Sequence, residues 1–137
     1  KMMRIILLFT FLFLCSCQNP SGNPALASSP YPMDLHEEDA VSIQVLRKDE
    51  YISIVNSTAV DFYNPTLWIN QRYSGQLPSI PAGSTLRFNL WSLRDAYGEQ
   101  FNAGGIWRTD EPTQLVIAEL QISEDEPLVG LIVIGED

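Results

Sequence analysis

Apolar and polar residues alternate in several short stretches of this chain, and this period of two limits the fold more than any other feature. The alternation is clear in residues 41–45 and 52–54, and it returns in 66–73 and 86–90. Such alternation is typical of β-strands with one buried face. No long segment has the period of an amphipathic helix. The sequence from residue 41 onward therefore predicts a β-rich domain.

Turn-forming residues separate these stretches and set the number of strands. Pro78–Gly83 (PSIPAG) and Glu124–Pro127 (EDEP) are typical turns. Further extended pieces are predicted at 106–108, 115–122 and 128–134. The last of these is rich in Val and Ile, which suits a strand buried on both faces. About seven short strands predict an all-β fold, an immunoglobulin-like β-sandwich over residues 41–137, with an open barrel as the alternative.

The first sixteen residues have the features of a secretory signal peptide. Lys1 and Arg4 supply positive charge, and Ile5–Leu14 is an apolar run of ten residues with one hydroxyl group. A membrane-spanning helix needs about 20 apolar residues, so this run is too short to be one. A basic start, a short apolar centre and small residues at the end together predict a cleaved signal over residues 1–16.

The end of this run, Leu14-Cys15-Ser16-Cys17, resembles the lipobox of bacterial lipoproteins. The resemblance implies that the Cys17 thiol receives a diacylglyceryl group, that cleavage precedes Cys17, and that the new amino terminus is acylated. Each buried acyl CH₂ contributes about 0.8 kcal/mol, so two or three chains anchor a protein firmly. Gln18 at the next position implies sorting to the outer membrane. An ordinary secreted protein is the alternative, whereas a Cys-x-Cys metal site would need ligands that the chain does not offer.

Residues 17–40 are predicted to be the lipidated cysteine followed by a flexible tether. Positions 18–40 contain four prolines and several Ser and Asn residues, and they lack apolar periodicity. As a flexible coil, this segment would span about 25–30 Å. The only histidine, His36, lies in it. No Ser-His-Asp or Cys-His set is therefore expected within the folded domain.

The charge of the chain excludes one class of partner. The formal net charge is −9, and the basic residues form no stripe. Such a chain is repelled by nucleic-acid phosphates, so no nucleic-acid binding is expected. Short acidic clusters are interpreted as solvated turns, with calcium sites as a minor alternative. No metal and no cofactor is predicted.

The stretch Ser92–Thr109 combines acidic residues with glycines. The spacing of Asp95 and Glu99 permits a pair of catalytic carboxylates, as in glycosidases. The structural alternative is a capped turn that Gly98 ends in the left-handed conformation. Gly104-Gly105 lacks the motif of a phosphate-binding loop and predicts a tight bend.

Two predicted strands carry the residues of a possible binding patch. If the neighbouring residues face the core, then Trp68, Asn70 and Arg72 point to the other face, as does Trp91. Aromatic faces with planar hydrogen-bonding groups suit a glycan or a partner protein. The alternative is that Trp68 and Trp91 close the ends of the core.

Three motifs, WINQRY at 68–73, IPAG at 80–83 and RDAYGEQFNAGG at 94–105, occur in this order. This order resembles a group of uncharacterised small bacterial envelope proteins with a similar NQRY, PAG turn and DxxGExFxAGG segment. The resemblance covers residues 51–122, implies a domain of unknown function and supplies no catalytic residue. It implies that one group of residues acts as a structural unit, in which Arg72 or Arg94 pairs with an acid of the long loop. The group consists of Asn70, Arg72, Asp95, Gly98, Glu99, Gly104 and Gly105.

The sequence thus predicts a lipoprotein of the cell envelope that is anchored in the outer membrane by lipid on Cys17. Its domain is predicted to be a non-enzymatic adaptor or binding module for an envelope protein or a glycan. A glycan-binding module using Trp68 and Trp91 is the alternative, and a small envelope hydrolase is the third. Exposed, coplanar indole rings would favour the glycan, whereas buried rings would favour the adaptor. A hydrolase would need a pocket that joins Asp95 and Glu99.

Overall fold

The computed structural model describes residues 22–107 and 109–135. The predicted signal peptide and the predicted lipidation site, Cys17, lie outside the described residues. The strands are β1 Ala40–Lys48, β2 Tyr51–Asn56, β3 Thr66–Ile69, β4 Tyr73–Gln76, β5 Thr85–Asn89, β6 Ala118–Gln121 and β7 Val129–Ile134. Short 3₁₀ turns occur at Pro24–Leu26, Met33–Leu35 and Leu90–Ser92. The described part of the chain contains no helix long and apolar enough to cross a membrane.

All seven described strands belong to one hydrogen-bonded sheet in the order β4-β3-β6-β7-β1-β2-β5. Neighbouring strands are antiparallel except β1 and β7, which are parallel. The prediction of an all-β fold with about seven strands is confirmed. The finer prediction, an immunoglobulin-like sandwich, is not settled by this, because the strands are joined in one curled sheet.

The curl brings the chain that follows β5 onto β4, at the other edge of the sheet. Ser74 in β4 donates a backbone hydrogen bond to Arg94 O (2.8 Å) and accepts one from Arg94 N (3.1 Å). A Cβ atom on Gly75 would lie 2.9 Å from Leu93 Cδ2 and 3.3 Å from Phe88 Cζ of β5. Any side chain at this position would require Leu93 and Phe88 to shift, so glycine suits this close approach. The two ends of the sheet are therefore packed together.

Residues 66–73, predicted as one strand, form a hairpin instead. Asn70 and Gln71 have φ angles of +54° and +56°, and Arg72 N donates to Ile69 O (3.1 Å). Positive φ at both central residues is the requirement of a type I′ turn, which reverses the chain between β3 and β4. The familiar Asn-Gly signal for this turn is absent, because Gln stands in the second position.

The core is built as the alternation predicts. Ile43 and Val45 in β1, and Ile52 and Ile54 in β2, have no exposed surface. In β7, however, the prediction of burial on both faces is wrong, since alternate residues remain partly exposed: Ile132 by 44% and Ile134 by 40%. Only one face of β7 contacts the core. Most of the apolar side chains of the sheet thus pack on one common interior.

The segment before β1 differs most from the prediction. Residues 22–39, here called the strap, are bound to the domain rather than free. Asn23 N donates to Gly98 O (3.3 Å) and Ser28 N to Asp95 O (2.9 Å), while Leu128 N donates to Leu35 O (2.8 Å). The prediction of a flexible tether is therefore wrong for the strap. Prolines prevent regular structure there, but they also restrict the unfolded chain and so lower the entropy lost on docking.

Candidate functional site

A groove of about 1000 Å³ lies between the β1–β2 turn and a long loop formed by residues 102–113. The residues that matter for its chemistry are Arg47, Lys48, Glu50, Tyr51, Arg87 and Asp110. Both basic and acidic side chains therefore line the groove, together with one tyrosine. A cleft of this volume falls at the upper end of the range for ligand sites.

Hydrogen bonds between its two ends close the loop of residues 102–113. Thr113 N donates to Asn102 O (2.8 Å), and the Asn102 amide donates to Glu111 O (3.0 Å). The same amide accepts from Gly104 N (3.1 Å). A loop whose two ends are joined in this way is a compact Ω-type loop, and such loops frequently carry function.

Arg47 attaches this loop to the sheet. From β1, its guanidinium donates to Thr113 O (2.5 Å) and to Ala103 O (3.1 Å), one on each side of the loop. The same group lies 5.7 Å from the ring centroid of Phe101, which is fully buried. The planar guanidinium with its five fixed donors suits this bridging position better than a lysine would.

The glycine pair turns the chain outward, as predicted. Gly104 and Gly105 have φ angles of +85° and +137°, and a Cβ on Gly105 would lie 2.7 Å from Glu50 Oε1. The piece that follows is not the predicted strand. Ile106 and Trp107 form the tip of the loop, with 94% of each residue exposed, and Arg108 lies outside the described residues. Two large apolar side chains therefore stand in solvent: Ile106 lines the groove, and Trp107 lines a smaller adjoining pocket with Glu50 and Trp91.

The groove also gathers basic side chains of an acidic chain, beside an equal number of acids, Asp49, Glu50 and Asp110. Apart from Lys1 and Arg4, the sequence has six basic residues, and three of them line this groove. The Arg87 guanidinium stacks 3.9 Å from the ring centroid of Tyr51, which orients both groups. This arrangement offers fixed donors and an aromatic surface to a ligand.

The predicted binding patch is not formed, first because Trp68 is buried. Only 2% of Trp68 is exposed, and its indole N–H donates to Gln121 Oε1 (2.9 Å). The ring of Tyr31, from the strap, meets it edge-on at 5.4 Å. The strap thus covers the face of β3 on which Trp68 lies, so Trp68 is buried, as in the alternative to the exposed patch, and presents no indole surface to solvent.

The other members of the predicted patch have structural contacts of their own. The Asn70 side chain donates to Gln114 O (2.6 Å) and accepts from Val116 N (2.8 Å). Trp91 is half-buried and packs against the core. The hairpin turn moves Asn70 off the strand on which Trp68 lies, so these residues do not share one exposed surface.

The structure does bring Arg72 together with both acids of the loop. Arg72 Nε and Nη2 donate to Asp95 Oδ2 (3.0 and 2.9 Å), and Nη2 also donates to Glu99 Oε2 (2.9 Å). Asp95 Oδ1 accepts from the backbone N–H groups of Tyr97 and Glu99. Burial would raise the pKa of Asp95, but these hydrogen bonds outweigh it and hold the pKa below its usual value.

This arrangement has the contacts expected from the structural alternative for the acid pair. Asp95 is 1% exposed, and one guanidinium binds both carboxylates. Gly98 ends the turn with φ +77°, as expected. Neither acid lines the groove. The predicted pairing partner Arg94 instead donates from its guanidinium to Gly98 O (3.4 Å).

Sequence reasoning missed a second cluster, beneath the strap. Glu119 in β6 is 1% exposed, with Oε1 2.5 Å from His36 Nδ1, and Oε2 accepting from the Tyr31 hydroxyl (2.7 Å). A carboxylate can only accept here, so His36 Nδ1 carries the hydrogen. Burial and the neighbouring carboxylate of Glu119 raise the pKa of the Tyr31 phenol. The available signal was a lone acid within the apolar run of residues 115–122.

His36 therefore lies against the sheet, contrary to its predicted place in a free tether. Glu119 is paired in register with Trp68 of β3, so the strap covers both with the same contacts. In the described ranges, no three His, Cys, Asp or Glu side chains are grouped as a metal ion would require. In comparisons with known proteins, no family model, curated protein or solved structure matches this chain, so the resemblance to small envelope proteins stays a prediction.

Proposed function

We propose that this chain is a lipid-anchored lipoprotein of the bacterial cell envelope, placed in the outer membrane, and that its domain is a non-enzymatic binding module. The basic start, the short apolar run and the lipobox-like Leu14–Cys17 support the anchor. Gln18 supports the outer membrane as its location. The domain then serves as an adaptor that holds a partner at the membrane.

The observation that carries the binding role is the tip of the 102–113 loop. Ile106 and Trp107 are each 94% exposed; Ile106 lines the groove, and Trp107 lines a smaller pocket that adjoins it at Glu50 and Gly105. Burying such a side chain is worth about 1.5–3 kcal/mol, so both are available to stabilise a complex. The loop base is held by Arg47 and by the Asn102 amide, so the tip is presented on a supported loop.

The chemistry of the groove favours a polypeptide partner. Trp, Tyr and Arg contribute most to protein–protein binding energy; Tyr51 and Arg87 line the groove, and Trp107 lines the smaller pocket beside it. The mixture of basic and acidic side chains suits a partner that carries both charges. The glycan alternative through Trp68 and Trp91 has less support, because Trp68 is buried under the strap. The pairing of Asp95 and Glu99 with Arg72 supports a non-enzymatic role over a hydrolase.

We further propose that the domain is an immunoglobulin-like sandwich joined through its first strand. The neighbours β1-β2-β5 correspond to strands A, B and E, and β4-β3-β6-β7 correspond to C′, C, F and G. The parallel β1–β7 pair then connects the two halves. An experimental structure in which β1-β2-β5 does not pack face to face against β4-β3-β6-β7 would contradict this assignment.

The anchor is tested by replacing each cysteine of the leader. Cys17→Ser should prevent lipid attachment and move the protein out of the membrane fraction, or block its processing. Cys15→Ser is the matched control and should change neither, because Cys15 leaves with the signal. A Cys17→Ser protein that is still processed and still sediments with membranes would refute the anchor.

The binding surface is tested by photo-crosslinking in cells. A benzophenone amino acid placed at Trp107 should give a discrete adduct with a partner protein. The same group at Tyr63, which is 71% exposed on the β2–β3 connection, is the control and should not give that adduct. Arg87→Glu should weaken the adduct formed at position 107 by reversing one charge of the groove. Identical adducts from both positions, or none from position 107, would contradict the proposed surface.

A further inference from the structure

The distance between the proposed lipid anchor and the folded domain is limited by covalent geometry. Cys17 precedes Gly22, the first described residue, by five positions. Whatever the path of the chain between them, five residues span at most about 18 Å. The domain therefore cannot stand off from the anchor by the 25–30 Å that a coil of residues 18–40 would allow.

The start of the strap is fixed on one particular turn of the domain. Asn23 N donates to Gly98 O (3.3 Å), and a Cβ on Gly22 would lie 2.3 Å from Tyr97 O. A Cβ on Gly98 would lie only 1.8 Å from Asn23 O. Two glycines are thus needed for the strap to lie directly on the backbone of this turn. The face formed by residues 22–26 and 95–99, here called the anchor face, is the part nearest the lipid.

The exposed side chains of the anchor face suit a membrane surface. Tyr97 is 77% exposed and Leu26 50% exposed. An exposed tyrosine with an apolar neighbour fits the boundary between headgroups and acyl chains, where aromatic side chains accumulate.

The charges at this face are also compatible with anionic lipid, although the whole chain carries −9. Asp95 is buried, and Glu99 is bound to Arg72, whose side chain is 50% exposed. Arg94 adds a second guanidinium at the same turn. The two arginines balance the carboxylates of Asp95 and Glu99, so this turn carries no net negative charge in an otherwise acidic chain, and the exposed part of Arg72 is available to a lipid phosphate.

We propose that the anchor face lies on the bilayer, so that the strap orients the domain with Tyr97 and Leu26 against the lipid. This inference rests on the proposed lipid anchor at Cys17. The arginines contact headgroup phosphates, and the rest of the acidic domain extends away from the surface.

The test uses a thiol-reactive bimane probe on the lipidated protein bound to vesicles of phosphatidylethanolamine and phosphatidylglycerol that contain a doxyl-labelled quencher lipid. The Cys17 thiol is occupied by lipid, so Tyr97→Cys provides a single site. Tyr63→Cys is the matched exposed control. Loss of emission at position 97 but not at 63 is the expected result. Equal quenching at both positions, or none at 97 while the protein stays bound, overturns the inference.

A second variant tests whether the strap causes the orientation. Gly98→Val should displace Asn23 from the turn, and in a protein that still carries Tyr97→Cys it should reduce quenching without reducing vesicle attachment. Its melting temperature shows whether the domain remains folded, and the single Tyr97→Cys protein decides the question if it does not. Protein that fails to attach to vesicles at all would refute the lipid anchor itself, and this inference with it.

Discussion

The contact of the strap with Glu119 provides the sharpest test of the fold, because it separates a docked segment from a tether. Glu119→Ala removes the acceptor of the Tyr31 hydroxyl (2.7 Å) and the partner of His36 Nδ1 (2.5 Å). Both donors come from the strap, and the carboxylate comes from β6. The substitution therefore acts on docking while it leaves the backbone ladder of the sheet in place.

The size of the effect follows from these two hydrogen bonds. A hydrogen bond to a charged group contributes about 1.5–3 kcal/mol. The donors are partly exposed, with 27% of the His36 side chain accessible, so they regain water when the strap leaves. The lower end of the range therefore applies, and the two bonds together are worth about 3 kcal/mol. At 1.36 kcal/mol per factor of ten, the strap should open about 100-fold more often.

Amide hydrogen exchange measures this opening at a single reporter. Leu128 N donates to Leu35 O (2.8 Å), so its hydrogen is protected while the strap is docked. In Glu119→Ala its exchange should accelerate about 100-fold. The Phe62 amide, which donates to Ile80 O (3.1 Å) away from the strap, should be unaffected.

A control variant separates the two hydrogen bonds. Tyr31→Phe removes only the hydroxyl and should accelerate exchange at Leu128 about tenfold, because one bond of about 1.5 kcal/mol is lost. If Leu128 exchanges at the wild-type rate in Glu119→Ala, the carboxylate does not hold the strap and this reasoning is refuted. Equal acceleration at Phe62 and Leu128 would instead indicate general loss of stability.

Two further predictions concern buried polar groups. Folding lowers the pKa of Asp95 below 3.8, so ionised Asp95 stabilises the fold above pH 3.8, and this contribution is lost as the pH falls through the folded pKa. The stability of Asp95→Asn should therefore fall less steeply with decreasing pH than that of wild type. Glu99→Gln, at a partly exposed position, should change the pH dependence of stability little. Asn56 is fully buried, and its side-chain nitrogen Nδ2 hydrogen-bonds three backbone carbonyls. Asn56→Asp presents an acceptor to these carbonyls and should lower the free energy of unfolding, measured by urea denaturation, by about 3 kcal/mol. Unchanged stability would contradict this.

The strands were predictable from the alternation of apolar and polar residues wherever one face of the strand is buried and the other is exposed to solvent. Ile43, Val45, Ile52 and Ile54 alternate with polar residues, and the period of two is a direct consequence of strand geometry. The hairpin at 69–72 was not predictable from the same pattern, because alternation does not distinguish one long strand from two short ones. Its turn depends on positive φ at Asn70 and Gln71, which local sequence encodes weakly.

The candidate site likewise contains features that the sequence indicated and features that it did not. The left-handed Gly98 and the bend at Gly104-Gly105 follow from the freedom of glycine, so the sequence indicated them. The burial of Trp68 did not follow, because it depends on a segment that has no periodicity of its own. Composition predicts disorder for such a segment, whereas its order here comes from contacts with distant residues such as Glu119.

The strap therefore also determines how far the proposed adaptor reaches. When it is docked, the anchor face lies within about 18 Å of Cys17. When it is released, residues 22–39 add a coil of about 20–25 Å, which would move the groove and Trp107 outward. The Glu119 contacts, worth about 3 kcal/mol, lower the ratio of released to docked strap by about 100-fold, since 1.36 kcal/mol corresponds to a factor of ten. A partner bound through Trp107 is thus held close to the membrane, unless its binding also displaces the strap.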